Sequence, residues 1–252
     1  MIDLHTHLLP GVDDGSPSVE VSLEVLRRFA AEGVSVVVCT PHLRASQAVK
    51  ISDSTYASRF DALTAALSGP PALKRGWEIM LDVPGADLSG PTLTLGGSRA
   101  ILVEFPRAGV PLQAIDELRR LRDEGRVPVL AHPERYWGCT LSQIRSWREG
   151  GTIMQIDAVA LLAGGRMGEM AVALIEEGLA DCLASDNHGD TRSLATVRKW
   201  MAEQDAEEHA ELLTEVNPRR LLEDLPVLPV PPMRVRRGLL ERLRELMRGR
   251  RR

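Results

Sequence analysis

Six histidines are spread through the 252 residues, and five of them stand in short motifs beside acidic residues. His5 and His7 lie two apart in DLHTH, with Asp14 following in DDG. His42 closes TPH, His132 opens HPER, and His188 closes SDNH two residues after Asp186. Glu78 in GWEI and Glu104 in VEFP add two carboxylates. On extended chain, residues two apart share a face, so His5 with His7 and Asp186 with His188 can present paired donors to one side. Imidazole and carboxylate without cysteine suit Mn, Fe or Zn rather than a thiolate site. A lone histidine is more often structural than a ligand. Nine such donors together are different, because unpaired charge is costly to bury without cations. Five imidazoles and four carboxylates can hold more than one divalent ion. Such clusters acidify a bound water and clamp the oxygens of an in-line phosphoryl displacement.

These donors need a scaffold that brings distant segments to one place. Short, β-branched, continuous apolar runs predict strands over 2–5, 34–39, 73–78, 100–105, 127–131, 152–156 and 181–185, read as parallel strands buried on both faces. Helical patterns lie between them over 16–32, 53–67, 111–124, 142–149, 168–177 and 192–203. The first has Ser16 as its cap, Pro17 at its first position and Gly33 after its end. Seven strands alternating with helices predict an α/β fold, either a (β/α) barrel or a doubly wound sheet. The ligand candidates then fall at the C-terminal ends of strands, where α/β barrels carry their active sites. Residues 80–98, rich in Gly and Pro, read as a loop. PVLPVPP at 226–232 marks the end of the body, which predicts one domain over 1–232 and a basic amphipathic tail over 233–252.

Composition narrows the class. Hydrophobic residues at 44% and charged residues at 26% are ordinary for a soluble protein and exclude a mainly disordered chain. No apolar run approaches the roughly 18 residues that cross a bilayer. The first residues lack a basic leader followed by an apolar stretch, so no secretory signal is expected. Three widely spaced cysteines make neither a disulfide framework nor a zinc knuckle, and a cytoplasmic location follows as the expectation. Residues 234–252 contain nine arginines and two glutamates against a total of −4, so the preceding chain carries −11. An acidic body argues against a nucleic-acid partner. In the tail, Leu239, Leu240, Leu243, Leu246 and Met247 recur at helical spacing opposite a basic face. That pattern fits packing on the body, or contact with anionic lipid or an acidic partner.

The motifs at 3–15 (DLHTHLLPGVDDG), 40–42 (TPH), Glu78 within GWEI, 103–106 (VEFP), 131–136 (AHPERY), 155–165 (QIDAVALLAGG) and 185–188 (SDNH) resemble the PHP (polymerase and histidinol phosphatase) superfamily. Within it they look like the bacterial metal-dependent protein-tyrosine phosphatases of capsule and exopolysaccharide biosynthesis, of the CpsB/CapC kind. The match runs in order from residue 1 to about 228 and includes NPRRLLEDLP. The resemblance implies a distorted (β/α)7 TIM-like barrel with three divalent metals, Mn first and Fe or Zn as alternatives. One metal would take His5, His7, Glu78 and Asp186. A second would share Glu78 and add Glu104 and His132, and a third would take Asp14, His42 and His188. His132 and Asp186 are the ligands whose loss should abolish catalysis. Arg135 would bind the substrate phosphate, with Arg192 as the second phosphate arginine. The pattern departs from the family twice: Arg192 follows SDNH one residue early, and Asp157 stands where the family has Asn. Asp14 and Glu104, where histidinol phosphatases more often have His, favour the tyrosine-phosphatase branch.

The implied substrate is a phosphotyrosyl protein, such as the tyrosine-rich C-terminal tail of a bacterial polysaccharide-synthesis kinase. That partner would also draw the enzyme towards the membrane surface, and an oligomer is compatible with this reading. The alternatives are a phosphatase for small phosphomonoesters such as histidinol phosphate, and a metal-bound regulatory module without turnover. Cys139 and Arg145 fit the C-x5-R spacing of cysteine-dependent phosphatases. Their loop, TLSQI, lacks the small residues that let a backbone cradle phosphate, so Cys139 is not expected to be a nucleophile. Cys39 and Cys182 read as core residues. His209 reads as solvent-facing. Trp77 and Trp137 read as packing residues, with a lesser prospect of walling a phenyl slot.

Overall fold

The computed structural model describes residues 1–50, 53–106 and 109–236. Its strands are β1 (Ile2–Thr6), β2 (Val36–Cys39), β3 (His42–Arg44), β4 (Ala72–Arg75), β5 (Glu78–Met80), β6 (Ala100–Glu104), β7 (Val127–Ala131), β8 (Ile153–Asp157) and β9 (Cys182–Ala184). All pair in parallel. They form a three-stranded sheet in the order β1-β2-β4 and a six-stranded sheet in the order β3-β5-β6-β7-β8-β9. Buried Ile2, Asp3 and Leu4, Val37 and Val38, and Ile101, Leu102 and Val103 on consecutive positions show that both faces of each strand are covered.

One expected strand breaks in two, and another is followed by a short strand that was not expected. The run 34–39 ends at Cys39 and the chain re-enters a sheet at His42, because Pro41 has no N–H to donate to a ladder. The run 73–78 stops at Arg75. Gly76 packs so closely that a Cβ there would meet Leu95 Cδ2 at 2.8 Å and Val38 Cγ1 at 2.9 Å. Pairing restarts with His42 opposite Glu78. Glu78 and His42 therefore open strands rather than end them, and the break is what turns both into one sheet beside Glu104.

A seam joins the outer edges of the two sheets. Thr6 bridges Asn187, His7 N donates to Asn187 O at 2.8 Å, and Asp186 N donates to His5 O at 3.0 Å. The donors of β1 thus meet those that follow β9.

Helices cover the strands. α1 (Val19–Ala31) buries Ser22, Val25, Leu26 and Phe29, one stripe at helical spacing. Its cap is Ser18, not the expected Ser16. Ser16 is instead held by the backbone of His7, its N donating to His7 O at 2.8 Å. α2 is Asp53–Ala66 and α3 is Ala114–Asp123. α4 (Leu141–Glu149) starts in a capping box between Thr140 and Gln143. α5 (Gly165–Glu176) begins three residues before its expected start, and α6 is Leu194–Glu203. The 80–98 segment is largely irregular, with short turns at Pro91–Leu93 and Leu95–Gly97.

The packed chain runs past the expected boundary at 232. Met233 is buried, its N donating to Ile175 O at 3.3 Å, and Arg236 N donates to Gln204 Oε1 at 2.7 Å. The predicted amphipathic pattern from Leu239 to Met247 lies outside the described residues.

Candidate metal centre

The ligand candidates sit where regular structure starts or stops. His5 is the penultimate residue of a buried strand and His7 follows it; His42 and Glu78 open β3 and β5, Glu104 ends β6, His132 follows β7, and Asp186 and His188 follow β9. His132 (φ 36°) and Asp186 (φ 48°) adopt the left-handed conformation, which disfavours residues with a Cβ and concentrates at functional sites. Behind His7 the DDG turn folds back so tightly that a Cβ on Gly15 would lie 2.1 Å from His7 O. Only glycine admits that approach.

Nine side chains from these points converge. His5 Nε2 lies 3.1 Å from His7 Nε2 and 3.3 Å from both Glu78 Oε2 and Asp186 Oδ1. His7 Nε2 lies 3.2 Å from the same Glu78 oxygen and 3.3 Å from the same Asp186 oxygen. His5, His7 and Asp186 thus form a triangle with edges of 3.1–3.3 Å, the spacing of donors on one metal with bonds of about 2.0 Å. Glu78 Oε2 is buried with three imidazole nitrogens within 2.8–3.3 Å, yet makes no hydrogen bond of acceptable geometry. Lone pairs that converge without sharing protons fit a cation between them.

The other donors surround this group. His132 Nε2 is 2.7 Å from Glu78 Oε1, and Glu104 lies 3.9 Å from His132 and 3.8 Å from His42. Asp14 Oδ1 lies 3.3 Å from His42 Nε2 and 3.7 Å from His188 Nε2 at the exposed rim. Four overlapping ligand groups result: His7, Asp14, His42 and His188; His5, Glu78 and His132; His5, His7 and Asp186; and His42, Glu78 and Glu104. The structure brings all nine expected ligands together. His5, His7 and His42 each belong to two groups, a sharing the residue-by-residue reading did not anticipate.

Proton positions report the same crowding. Burial pulls the His5 imidazole down, but the Glu78 and Asp186 carboxylates outweigh it and lift its pKa to about 9. His7 rises well above its ordinary value, burial being outweighed by Asp13, Asp186 and Glu78. Burial raises the Asp186 carboxyl, but His5, His7 and Arg135 hold it far below the usual carboxylate range. His132 is lowered, burial and nearby cations outweighing Glu78. Without metal, protons on His5 and His7 offset the buried carboxylates, and a divalent ion would take over that role.

Two arginines meet the cluster from the open side. Arg135 Nη2 donates to both Asp186 Oδ2 and Asp157 Oδ2. Arg192 Nη1 lies 3.3 Å from Asp186 Oδ2, so Arg192 reaches the cluster despite its short spacing from SDNH. The cluster opens to a cavity of about 330 Å³ whose further walls are Arg135, Tyr136 and Met167. The Tyr136 hydroxyl is fully engaged, donating to Ala131 O at 2.9 Å and accepting from Phe105 N at 3.1 Å.

Two residues here escaped the sequence reading, and a third, Asp157, was noted there only as a departure from the family. Asp13 Oδ2 accepts from His7 Nδ1 at 2.6 Å and from His42 N at 3.1 Å, so it orients two ligands at once. Gln155 Oε1 accepts from His5 Nδ1 at 2.9 Å. Asp157 is held by Val159 N at 2.8 Å and faces Arg135. A ligating histidine almost always donates its second nitrogen to such a partner, and the adjacent acids of DDG were the available sign for Asp13.

The residues set aside also have places. The Cys139 thiol is buried and pushed up to about 11 by that burial, and the following Thr140 opens α4 instead of a phosphate loop. Trp77 is buried against Tyr56 at 4.5 Å, whereas Trp137 is 72% exposed. His209 is half-buried, with Nε2 enclosed and unpartnered, rather than solvent-facing, and joins none of the ligand groups.

Comparison with known proteins agrees with this geometry. Residues 1–223 match the family model for capsular polysaccharide synthesis, CpsB/CapC. The tyrosine-protein phosphatase YwqE of Bacillus subtilis is 30% identical over 252 residues, covering 95% of this chain and 98% of the relative. The tyrosine-protein phosphatase CpsB of Streptococcus pneumoniae is 27% identical over 242 residues, covering 89% and 99%. Among solved structures, work on YwqE and CpsB as unique metal-dependent tyrosine phosphatases provides a match with TM-score 0.81 and 27% identity, over 94% of this chain and all of that one. A β-aspartyl dipeptidase of Fervidobacterium islandicum (TM-score 0.54, 14% identity, 92% of this chain and 75% of that one) shares the fold.

Proposed function

The chain belongs to the capsular polysaccharide synthesis family CpsB/CapC, and from that premise we propose that it is a metal-dependent tyrosine-protein phosphatase. The observation that carries the reading is the position of Asp186: one oxygen faces His5 and His7, the other faces Arg135 and Arg192. A cation site and an anion site thus share one carboxylate. Three divalent ions, Mn first and Fe or Zn as alternatives, would be held by His5, His7, Asp14, His42, Glu78, Glu104, His132, Asp186 and His188. Such ions acidify a water and polarise phosphoryl oxygens. The substrate phosphate would sit in the cavity with its oxygens on Arg135 and Arg192, whose fixed positive charge offsets the charge that builds in transfer. A tyrosyl leaving group departs as a phenolate of pKa about 10, so it needs less help from a general acid than an alkoxide does. Tyr136, its hydroxyl already committed, serves as wall.

The parallel sheets with their β1–β9 seam fit seven staves of a distorted (β/α)7 barrel of the PHP type, β2 with β3 and β4 with β5 each forming one stave. The partner we infer is a phosphotyrosyl protein such as the tail of a bacterial tyrosine kinase in capsule synthesis, met in the cytoplasm at the membrane surface. No helix among the described residues is long and apolar enough to cross a membrane. The basic tail at 233–252 is the segment we assign to kinase or lipid contact.

A substrate panel tests the reading. The Mn-loaded protein is expected to hydrolyse a phosphotyrosyl peptide in preference to histidinol phosphate. Chelation, His132→Ala or Asp186→Ala should abolish turnover. Preference for histidinol phosphate, or full activity after chelation, refutes it.

A further inference from the structure

Two adjacent residue pairs, Tyr136-Trp137 and Arg166-Met167, are built alike. Their inner members, Tyr136 and Met167, wall the cavity over the ligand cluster. Their outer members meet each other: the Arg166 guanidinium carbon lies 5.1 Å from the centre of the Trp137 ring. The guanidinium is pinned there, Nη1 donating to Tyr136 O at 3.3 Å and Nη2 to Arg135 O at 3.2 Å. One face of the indole therefore rests on a fixed cation. With 72% of Trp137 exposed, the rest of the ring is left to solvent.

A tryptophan kept in water forgoes a large burial gain, and tryptophan paired with arginine is the composition of interface anchors. The placement limits what can cover it. Arg166 is bonded to the carbonyl of Arg135 itself, so the pair is continuous with the wall of the cavity. The indole lies beside the cavity, one residue from Tyr136 in its wall. A phosphotyrosine inserted into the cavity trails its own polypeptide there, and the cation under the ring complements an acidic segment.

We propose that Trp137, supported by Arg166, is a docking shelf for the polypeptide flanking the phosphotyrosine, and so selects protein substrates over small phosphate esters. This rests on the tyrosine-phosphatase reading above. On the shelf, a flat side chain or peptide plane next to the phosphotyrosine stacks on the open indole face, and Arg166 holds the ring at a fixed angle to the cavity.

The test uses the full Mn-loaded chain with para-nitrophenyl phosphate and with blocked phosphotyrosyl heptapeptides flanked by alanine or by phenylalanine and glutamate. Trp137→Ala is expected to raise KM for the heptapeptides on the order of tenfold, most for the aromatic and acidic flank. It should leave kcat and para-nitrophenyl phosphate turnover within about twofold, as an exposed substitution should. Trp137→Phe restores most of the peptide KM, and Arg166→Ala shifts it in the same direction by less. Equal loss on both substrate types, or an unchanged peptide KM, overturns the shelf. So does loss of a dimer in size-exclusion chromatography with peptide kinetics intact, which would assign the surface to a second copy of the chain. A wild-type protein inactive on every phosphotyrosyl peptide refutes the phosphatase reading itself. Wild-type activity indifferent to Trp137 refutes the shelf alone.

Discussion

Asp13 gives a measure of how much of this site lies behind its ligands. Its carboxylate accepts from His7 Nδ1, just after β1, and from the backbone N–H of His42, at the start of β3. Such partners fix tautomer and ring angle, and their loss typically costs 10–100-fold in metal affinity. Asp13→Asn is therefore expected to weaken metal binding by about one to two orders of magnitude in a competition titration against a chelator. Melting of the metal-free protein should change little; an unchanged affinity would show that His7 needs no such support. The nine ligand candidates were legible because imidazole and carboxylate rarely recur in short polar-ended motifs without a shared task. Asp13 was harder to see, since in DDG only three dimensions decide which acid faces the metal and which faces the imidazole. Gln155 carried no sign at all, because an amide two residues from a strand end can have many purposes.

At the scale of elements, seven strand signals became nine strands, and the difference matters for the site. Gly76 breaks a run that hydropathy alone reads as continuous, Pro41 separates β2 from a short strand that hydropathy did not show, and the restart sets His42 beside Glu78. Proline and glycine were visible in the sequence, but their effect depends on a neighbouring strand breaking at the same level. The strands β6, β7 and β8 were readable within a residue because nothing interrupts them. One buried side chain ties the start of the C-terminal segment to the body. Buried Asn217 donates to Asp181 O and Leu228 O, both at 2.9 Å, and accepts from Leu228 N at 2.8 Å. Asn217→Ala would remove three hydrogen bonds, one to the buried Asp181 O and two part-buried ones to Leu228, a cost of about 3 kcal/mol. In calorimetry the melting temperature should fall by roughly 10 °C. A fall of a degree or two would mean that the 226–236 segment is held by its apolar contacts instead.

For the whole molecule, the metal-free fold and the metal-loaded fold should respond oppositely to pH. The His5 pKa is raised from 6.5 to about 9, so its contribution to metal-free stability is complete below pH 6.5 and lost as pH climbs through 9. Metal binding needs the neutral imidazole, so affinity rises across the same interval and binding releases protons. Melting curves between pH 6.5 and 9, with and without chelator, should show the metal-induced gain in melting temperature widening with pH; a constant gain would rule out this proton exchange. The net charge of −4, read from composition alone, gave no sign of such balance between buried acids and histidines. Asp186 extends that balance to the substrate. While the metal positions hold only protons, both arginines are drawn to its second oxygen. Cations on the first oxygen would weaken that hold and free the guanidiniums for phosphate. Metal and phosphate then become mutual effectors: each tightens the other by the same factor, as thermodynamic reciprocity requires. Scarcity of one in the cell would lower the occupancy of both.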